Sequence, residues 1–384
     1  MLGIDIGTTR IKAVVIDAFG VEHAAGSVAT PFAASVHGVD MEVADLEQVL
    51  ARILSAVGPA RDQLTAVGIA GLAESGAPLR ERRPVGPIIA WHDGRGEDTV
   101  ASLEARFGPS LPRWTGRKVR TVSSLAKLGW LIDQGITAPD RWLGVPELAL
   151  FLFTGTEATE HSLAARTGAY DVTRRHFLPE VTDHVLAGTG CDPDRLFPAV
   201  RAAGEAMGFV SAEAAARYGI PSGIAVTIAG HDHLAAAAGL GGGLDDLFNS
   251  VGTAETVFRR TGSPPDIDRA LALDLAVTLW PGGTSWGILA SAARAGVVLG
   301  ELAAALGRSA AELDRLAESE SVAARQWSAA ISDLVARTVE AGARVAELAG
   351  PHRRLVVFGG GSRSALWLAA KARAAGVPVL RSTV

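Results

Sequence analysis

Apolar and polar residues alternate with a period of two on both sides of a Gly-Thr-Thr sequence at the start of the chain. The apolar positions are Leu2, Ile4, Ile6, Ile11, Ala13 and Val15. This alternation predicts two β-strands joined as a hairpin with its tip at 7–10. The tip lacks the Asn-Gly or Asp-Gly pair that hairpin turns favour. The tip is therefore either an ordinary turn with polar side chains or an anion-binding loop. Asp5, beside it, offers a carboxylate that could hold a metal ion.

Strand-like and helix-like segments alternate along the rest of the first half, which is typical of an α/β protein. The pattern predicts strands at 21–28, 64–71 and 85–93. It predicts amphipathic helices at 45–57, 124–134 and 141–155, the first of them capped by Asp45.

The second half repeats part of this order. A strand, a glycine, a polar triplet and an Ala-rich helix occupy 223–243, and the glycines at 239–243 predict a domain boundary or hinge. A second Gly-Thr hairpin at 247–260 resembles the first and indicates a duplicated half-domain. Helices are predicted at 287–306, 310–318 and 330–349, followed by a strand, three glycines, a helix and a last strand. The predicted domains are therefore 1–243 and 244–384.

Composition narrows the function classes. The 384 residues are 48% hydrophobic and 20% charged, with a net charge of −5, which describes a globular chain of two domains. An acidic balance gives no electrostatic case for nucleic acid or an anionic membrane, and no apolar run is long enough to span a bilayer. The opening strand contains Asp5, so a signal peptide is not expected. The single cysteine, Cys191, excludes an internal disulfide and fits a cytoplasmic protein.

Two segments follow strands and carry groups suited to catalysis or anion binding. His231-Asp232-His233 lies at a strand end and opens a helix, where Asp232 could accept a proton, cap the helix, or do both. Gly359, Gly360, Gly361 and Ser362 stand between a buried strand and a helix, so their N–H groups favour an anion or a close-lying flat ring. The alternative is a tight turn. The chain has no P-loop sequence, and the glycines at 359–361 lack the spacing of a dinucleotide-binding fingerprint.

One further segment suits a polyol, and a second carries a weaker signal. The sequence WHDGR places Trp91, His92, Asp93 and Arg95 after a strand, and an indole face with charged groups fits C–H faces and hydroxyls. The alternative is a surface ion pair of little energetic value. Glu74 and Ser75 follow another strand. The two His-Asp dipeptides could instead be the metal ligands of a phosphohydrolase, but both follow strands and no further ligand is suitably spaced.

Taken together, five segments resemble the FGGY carbohydrate kinases of the actin, heat-shock-chaperone and sugar-kinase superfamily. In chain order they are GIDIGTTRIKAVVID (3–17), WHDGR (91–95), AGHDH (229–233), NSVGTAET (249–256) and VVFGGGSRSALW (356–367). The resemblance covers essentially the whole chain. It implies two RNase-H-like (actin-like ATPase) domains with a central cleft, ATP and Mg²⁺ as cofactors, and a sugar as the substrate.

The resemblance also implies roles for single residues. Asp232 would be the general base, and Asp5 and Asp232 would orient Mg²⁺ through water. The implied ATP-binding residues are Gly7, Thr8, Thr9, Lys12, Gly252, Thr253, Gly359, Gly360, Gly361 and Ser362. The implied substrate-binding residues are Glu74, Ser75, Trp91, His92, Asp93, Arg95 and His231.

The chain departs from the family pattern in two places. Pentulose kinases of the family usually have Met-His-Gly where this chain has Glu74 and Ser75. The second domain is shorter than expected and its sequence ends at a strand, so the expectation is a shortened or incomplete domain. We expect phosphorylation of a ketose such as a pentulose, or, alternatively, a catalytically weak sugar or nucleotide sensor. An ATPase without sugar is disfavoured by WHDGR. A homodimer is compatible with the resemblance.

Overall fold

The computed structural model describes residues 1–136, 139–316, 319 and 321–382. Its contacts divide the chain into two compact units. The first unit comprises Met1–Ala235 and Leu279–Thr284, and the second comprises Ala236–Thr278 and Ser285–Val384. The predicted boundary at 243/244 thus lies inside the second unit, a few residues after the division.

The first unit contains sixteen strands and eight complete helices among its described residues. The strands are β1 (Leu2–Ile6), β2 (Arg10–Ile16), β3 (Glu22–Ala29), β4 (Ala33–Ala34), β5 (Val39–Met41), β6 (Ala66–Gly71), β7 (Gly76–Arg80), β8 (Arg83–Pro84), β9 (Ile88–Ile89), β10 (Arg141–Gly144), β11 (Ala158–Glu160), β12 (Tyr170–Asp171), β13 (His176–Phe177), β14 (Ala199–Arg201), β15 (Gly208–Phe209) and β16 (Ala225–His231). The helices are α1 (Val43–Ala56), α2 (Glu97–Phe107), α3 (Ser110–Thr115), α4 (Ser124–Asp133), α5 (Val145–Thr154), α6 (His161–Ala164), α7 (Pro179–Leu186) and α8 (Ala212–Tyr218). Short 3₁₀ turns occupy Gly58–Gln63 and Pro193–Arg195.

A six-stranded sheet organises the first unit, with strand order β15-β16-β6-β1-β2-β3. β1, β2 and β3 are antiparallel neighbours, whereas β6 and β16 run parallel to β1. The alternation seen at the start of the chain appears as alternating burial, with Leu2, Ile4 and Ile6 at most 2% exposed. These side chains belong to one apolar core with α1 and α5, which explains why the sheet forms at this register.

The second unit follows α9 (Asp232–Gly239), inside which the division falls. Its strands are β17 (Asp246–Val251), β18 (Glu255–Thr261), β19 (Ala276–Leu279), β20 (Trp286–Ala293), β21 (Arg354–Phe358) and β22 (Val379–Arg381). Its helices are α10 (Ile267–Ala272), α11 (Ala295–Ala305), α12 (Ala310–Leu316), α13 (Val322–Ala349) and α14 (Ala365–Ala374), with a 3₁₀ turn at Gly360–Arg363.

The second sheet repeats the topology of the first. Its order is β19-β20-β18-β17-β21-β22, in which β17, β18 and β20 are antiparallel and β21 and β22 run parallel to β17. Three antiparallel strands followed by two parallel ones occur in the same sequential order in both units. The duplicated half-domain inferred from the two Gly-Thr hairpins is therefore visible in the strand order, and the α/β class is confirmed.

Most predicted elements are present, and three needed correction. Residues 141–144 form the strand β10 rather than the start of a helix, because they pair with β7 and Pro146 then opens α5. Residues 287–293 form most of β20, paired with β18, so the helix predicted from 287 begins only at Ala295. Asp45 is the third residue of α1 rather than its cap, and its Oδ2 accepts the N–H of Glu42 at 3.3 Å.

Two further predicted segments differ in extent. The strand predicted at 85–93 is reduced to Ile88–Ile89. The helix predicted at 330–349 begins earlier, at Val322. Positions 317 and 318 of the helix predicted at 310–318 lie outside the described residues. No described helix is both long enough and apolar enough to cross a bilayer.

A buried ion pair joins three elements of the second unit. Lys371 of α14 donates to Glu255 Oε1 of β18 at 2.5 Å, and Thr338 of α13 donates to the same oxygen at 2.7 Å. Glu255 and Lys371 are at most 2% exposed. Because a buried charge without its partner is costly, this pair holds both helices against the sheet.

We predict that Lys371→Met lowers the free energy of unfolding of the second unit by about 3–5 kcal/mol, since it leaves the Glu255 charge buried and unpaired. The double variant Glu255→Gln/Lys371→Met should regain most of that loss. Urea unfolding followed by tryptophan fluorescence measures both. Asp333→Ala, which breaks an exposed ion pair with Arg337 on α13, serves as the control with no measurable change. Equal losses in the single and double variants would contradict the prediction.

Candidate active site

Three parallel strands of the first unit end at the same edge of the sheet. Ile6 of β1 lies opposite Gly71 of β6, and Gly71 lies opposite His231 of β16. The residues that follow these strands are the first hairpin tip, the segment 72–75 and Asp232. Ligands of open α/β sheets bind at the carboxyl ends of strands, so this edge is the candidate active site of the first unit.

The first hairpin tip is fixed by hydrogen bonds on both sides. The Gly7 N–H donates to the Arg10 carbonyl at 3.1 Å, and Thr30 Oγ1 donates to the Gly7 carbonyl at 2.7 Å. Trp91 Nε1 donates to Thr8 Oγ1 at 2.8 Å. The structure therefore brings the aromatic residue of WHDGR into contact with the first hairpin, although they are far apart in sequence.

Asp5 and Lys12 lie directly opposite each other on β1 and β2. Lys12 Nζ donates to Asp5 Oδ2 at 3.1 Å, and both side chains remain partly exposed. Partial burial raises the pKa of Asp5, and the negative charge of Asp232 raises it further, against the lowering effect of Lys12. The charge of Asp232 thus reaches Asp5 at this edge and disfavours the ionised form of Asp5.

Asp232 is the first residue of α9 and lies between two imidazoles. His231 Nε2 lies 3.2 Å and His233 Nδ1 lies 3.7 Å from Asp232 Oδ1, which also accepts the His233 N–H at 2.7 Å. Burial acts to raise the pKa of Asp232, but the two histidines and the N–H bond outweigh it and hold the pKa below its usual value. The carboxylate is therefore ionised at neutral pH, as a proton acceptor requires.

His231 is anchored from behind by two residues to which the sequence reasoning gave no role. The His231 N–H donates to Ser162 Oγ at 2.9 Å, and Ser162 Oγ donates to Glu160 Oε2 at 2.5 Å. A bulge in β16 brings Gly230 to a φ of 120°, a region that favours glycine. Burial lowers the pKa of His231 to about 4, so this imidazole is neutral. No local sequence signal could reveal the role of Ser162, because His231, whose N–H it accepts, lies far along the chain.

Asp93 and Arg95 form a buried network. Arg95 Nε donates to Asp93 Oδ1 at 2.9 Å, and Arg95 Nη1 donates to Asp40 Oδ2 at 3.1 Å. Asp93 Oδ2 accepts the Val39 N–H at 2.7 Å. The side chains of Asp93 and Arg95 are 5% and 7% exposed, so the alternative of a surface ion pair is wrong. Trp91 and His92 are the more accessible residues of this segment.

Lys127 lies behind the WHDGR segment and was missed at the level of sequence. It is fully buried in α4, and its ammonium group donates to the Asp93 carbonyl. Burial lowers the pKa of Lys127 to about 8, against the raising effect of Asp93. The amphipathic pattern of residues 124–134 predicts the helix but gives no reason for a lysine on its buried face.

Glu74 has its charge paired within the protein. Arg117 Nη1 lies 2.9 Å and Arg166 Nη2 lies 2.5 Å from Glu74 Oε1. Burial acts to raise the pKa of Glu74, but Arg166 and Arg117 outweigh it and lower the pKa. Neighbouring Ser75 is fully buried, and its hydroxyl has no partner among the described residues. Both lie where the sequence predicts substrate contacts, and that role stays a prediction.

The two His-Asp dipeptides behave differently as possible metal ligands. Among the described residues, His231, Asp232 and His233 form a group whose ligand atoms lie within 4.8 Å of one another. His92 and Asp93 belong to no such group among the described residues, and both oxygens of Asp93 accept internal hydrogen bonds. The arrangement gives no support to a phosphohydrolase with both dipeptides as ligands.

The second unit carries the other predicted ATP-binding residues on neighbouring segments. The Gly252 N–H donates to the Ala254 carbonyl at 3.0 Å, and the Gly296 N–H donates to the Thr253 carbonyl at 3.2 Å. A Cβ on Gly359 would lie 2.6 Å from the Val251 carbonyl oxygen, so β21 passes too close to β17 for a side chain there.

The three consecutive glycines at 359–361 have different environments. A Cβ on Gly361 would lie 2.3 Å from Val251 Cγ1, whereas one on Gly360 would have no neighbour within 4 Å among the described residues. Ser362 Oγ donates to the Gly359 carbonyl at 2.7 Å. Packing therefore explains two of the glycines, and Gly360 leaves open space beside the turn.

Comparison with known proteins extends this picture. The model of the FGGY family of carbohydrate kinases, N-terminal domain, matches residues 1–239. The chain is 28% identical over 271 residues to an L-fuculokinase of Escherichia coli, covering 68% of this chain and 56% of that protein. It is 28% identical over 253 residues to a xylulose kinase of Lactococcus lactis, covering 63% and 49%. The chain thus spans about half the length of the curated relatives it matches.

Solved structures show the same fold. A xylulose kinase from Brucella ovis aligns with a TM-score of 0.85 at 22% identity, covering 100% of this chain and 86% of that one. A xylulose kinase from Rhodospirillum rubrum aligns with a TM-score of 0.82 at 20% identity, covering 100% and 87%. The resemblance inferred from the five sequence segments is confirmed. With 239 of its 384 residues matched by the family model, the chain belongs to the FGGY family of carbohydrate kinases.

Proposed function

We propose that the protein is an ATP-dependent sugar kinase in which Asp232 is the general base. The observation that carries the proposal is the Asp232 carboxylate at the end of β16, which accepts the His233 N–H and lies beside the imidazoles of His231 and His233. A carboxylate so placed can take the proton of a sugar hydroxyl as that oxygen attacks the terminal phosphoryl group of ATP.

Asp5 and Asp232 are the residues that would hold Mg²⁺. Magnesium prefers oxygen ligands and keeps several waters, and two mutually repelling carboxylates at one sheet edge fit that requirement. The bound ion would supply neutralisation of charge on the phosphate oxygens. Lys12 faces Asp5 and adds a positive charge beside the first hairpin.

Each unit carries proposed ATP contacts of its own. In the first unit, the proposed contacts are Gly7, Thr8, Thr9 and Lys12. In the second, they are Gly252, Thr253 and Gly359–Ser362, where the open space at Gly360 supports close approach of a ligand. Phosphoryl transfer depends mainly on alignment and charge neutralisation, which matches a set of backbone donors, hydroxyls and one lysine.

The proposed sugar contacts divide into two classes. Trp91, His92 and His231 would touch the substrate directly, whereas Ser75, which is fully buried, would line the pocket from behind. Glu74, Asp93 and Arg95 would shape the pocket, because their charges are already paired inside the protein. Relatives named L-fuculokinase and xylulose kinase act on ketoses, which supports a ketose such as a pentulose as the substrate.

We predict that Asp232→Asn lowers sugar-dependent ADP release by roughly 10²–10⁴-fold, since the proton acceptor is lost. The assay uses Mg·ATP with a panel of ketopentoses, ketohexoses, polyols and aldonates. Sugar affinity, measured by calorimetry on the best substrate, should change little. Asp62→Asn, at an exposed carboxylate away from the site, is the matched control and should retain full activity.

Two results of that experiment would contradict the proposal. Equal turnover in the wild-type chain and Asp232→Asn would remove Asp232 as the base. Sugar binding without ADP release for every sugar of the panel would instead favour a catalytically weak sensor.

A second prediction concerns the anchor behind His231. Ser162→Ala removes the acceptor of the His231 N–H and should lower kcat roughly 10-fold or more, because small misplacement of a catalytic group is costly in rate. The KM for sugar and the urea midpoint should stay close to wild type, which separates positioning from a loss of folding. Ser222→Ala, whose hydroxyl bonds the Val210 carbonyl in the same unit, is the control. An unchanged kcat would contradict the positioning role.

A further inference from the structure

Three consecutive side chains converge where β16 ends and α9 begins. Asp232 Oδ1 lies 3.2 Å from His231 Nε2 and 3.7 Å from His233 Nδ1. The three ligand atoms lie within 4.8 Å of one another. Asp5 adds a second carboxylate that interacts with Asp232 and His233. The group therefore offers two imidazoles and a carboxylate in a negatively charged setting.

These separations match the spacing of ligands around one transition-metal ion. Zinc binds imidazole nitrogen and carboxylate oxygen at about 2.0–2.2 Å. Two ligands at tetrahedral angles around it are then about 3.3–3.6 Å apart, by the geometry of those bonds. The two measured separations bracket that range. The third separation, between the two ring nitrogens, is within 4.8 Å, so the three atoms would close around the ion on binding.

His231 faces Asp232 with the ring nitrogen that would bind the metal. Its Nε2 lies on the Asp232 side, whereas its Nδ1 has no hydrogen-bond partner among the described residues. The residue is only 6% exposed, so the imidazole has lost most of its contacts with water. A neutral imidazole that coordinates a metal through Nε2 carries its proton on Nδ1, and coordination would provide a strong interaction for this buried ring.

We propose that His231, Asp232 and His233 bind one divalent transition-metal ion of the zinc type. Imidazole ligands favour such ions, whereas magnesium prefers oxygen ligands, so the site would distinguish the two. An ion held by Asp232 would bind the carboxylate that accepts the proton and lower its basicity. Zinc would therefore inhibit sugar phosphorylation in the presence of excess Mg²⁺. The inhibition rests on the proposed function, whereas the binding does not.

Calorimetric titration of Zn²⁺ into the full chain, freed of metal and without nucleotide, tests the binding. We expect His233→Asn to weaken the binding of one zinc ion at least tenfold. Asp232→Asn, which removes the anionic ligand with little change in shape, should do the same and guards against a folding defect in the first variant. Circular dichroism and the urea midpoint establish that both variants are folded.

The matched control is His23→Asn. His23 Nε2 and Asp17 Oδ2 lie 3.0 Å apart in an exposed pair that is distant in sequence from 231–233. This variant therefore removes a histidine–carboxylate pair outside the site. It should leave the affinity of the proposed site unchanged. Zinc binding that is unaffected by His233→Asn and Asp232→Asn, or lost in His23→Asn, would overturn the proposal.

Cobalt provides a spectroscopic check. Co²⁺ added to the metal-free chain should give a visible absorption band that is reduced in His233→Asn and unchanged in His23→Asn. A band of equal intensity in the wild-type chain and His233→Asn would contradict the assigned ligands.

Sugar-dependent ADP release under increasing Zn²⁺ tests the inhibition. Half-inhibition should fall near the zinc dissociation constant and require at least tenfold more zinc in His233→Asn. Zinc binding without inhibition of an active kinase would overturn the inhibitory role. Zinc binding by a chain that phosphorylates no sugar would support the site and contradict the proposed function.

Discussion

The register between β1, β6 and β16 is the constraint on which the site of the first unit depends. Side chains change faces with every residue along a strand, so a slip of one position would turn Asp5 away and move the apolar set of β1 out of the core. The core residues Leu2, Ile4 and Ile6 thus fix the position of the carboxylate between them. The bulge at Gly230 then turns the end of β16, and the Ser162–Glu160 pair holds it there. The same pairing thus determines the core of the first unit and the position of its candidate site residues.

Buried charges define the rest of the site. Glu74 with two arginines, and Asp93 with Arg95 and Lys127, join segments that are distant in sequence. A buried ion pair adds little net stability compared with apolar packing, but breaking it is costly. Such pairs therefore restrict the loops to one arrangement. The charged residues of WHDGR hold the segment so that Trp91 can reach Thr8.

The sequence patterns predicted what depends on near neighbours. Both Gly-Thr hairpins, the β16–α9 junction and the glycine turn before α14 carry their signal within a few residues. Residues 287–293 were assigned to a helix because apolar spacing in a buried strand is ambiguous, and only the pairing with β18 resolves it. The same limit applies to the site. Asp232 is recognisable from its segment, whereas Ser162, Lys127 and the partners of Glu74 act through contacts that no local pattern records.

The duplicated topology separates what the fold requires from what each unit adds. Both sheets place a Gly-Thr tip between their first two antiparallel strands, and both tips close through a glycine N–H. The charged residue on the outgoing strand differs in position and in role. In the first unit it is the exposed Lys12 facing Asp5, whereas in the second the buried Glu255 is tied to Lys371 and Thr338. One hairpin thus keeps its charges accessible, and the other uses its charge to fix helices α13 and α14. The shared fold supplies the tip in both units, while the register and the burial of the charged residue on the outgoing strand differ between the two hairpins.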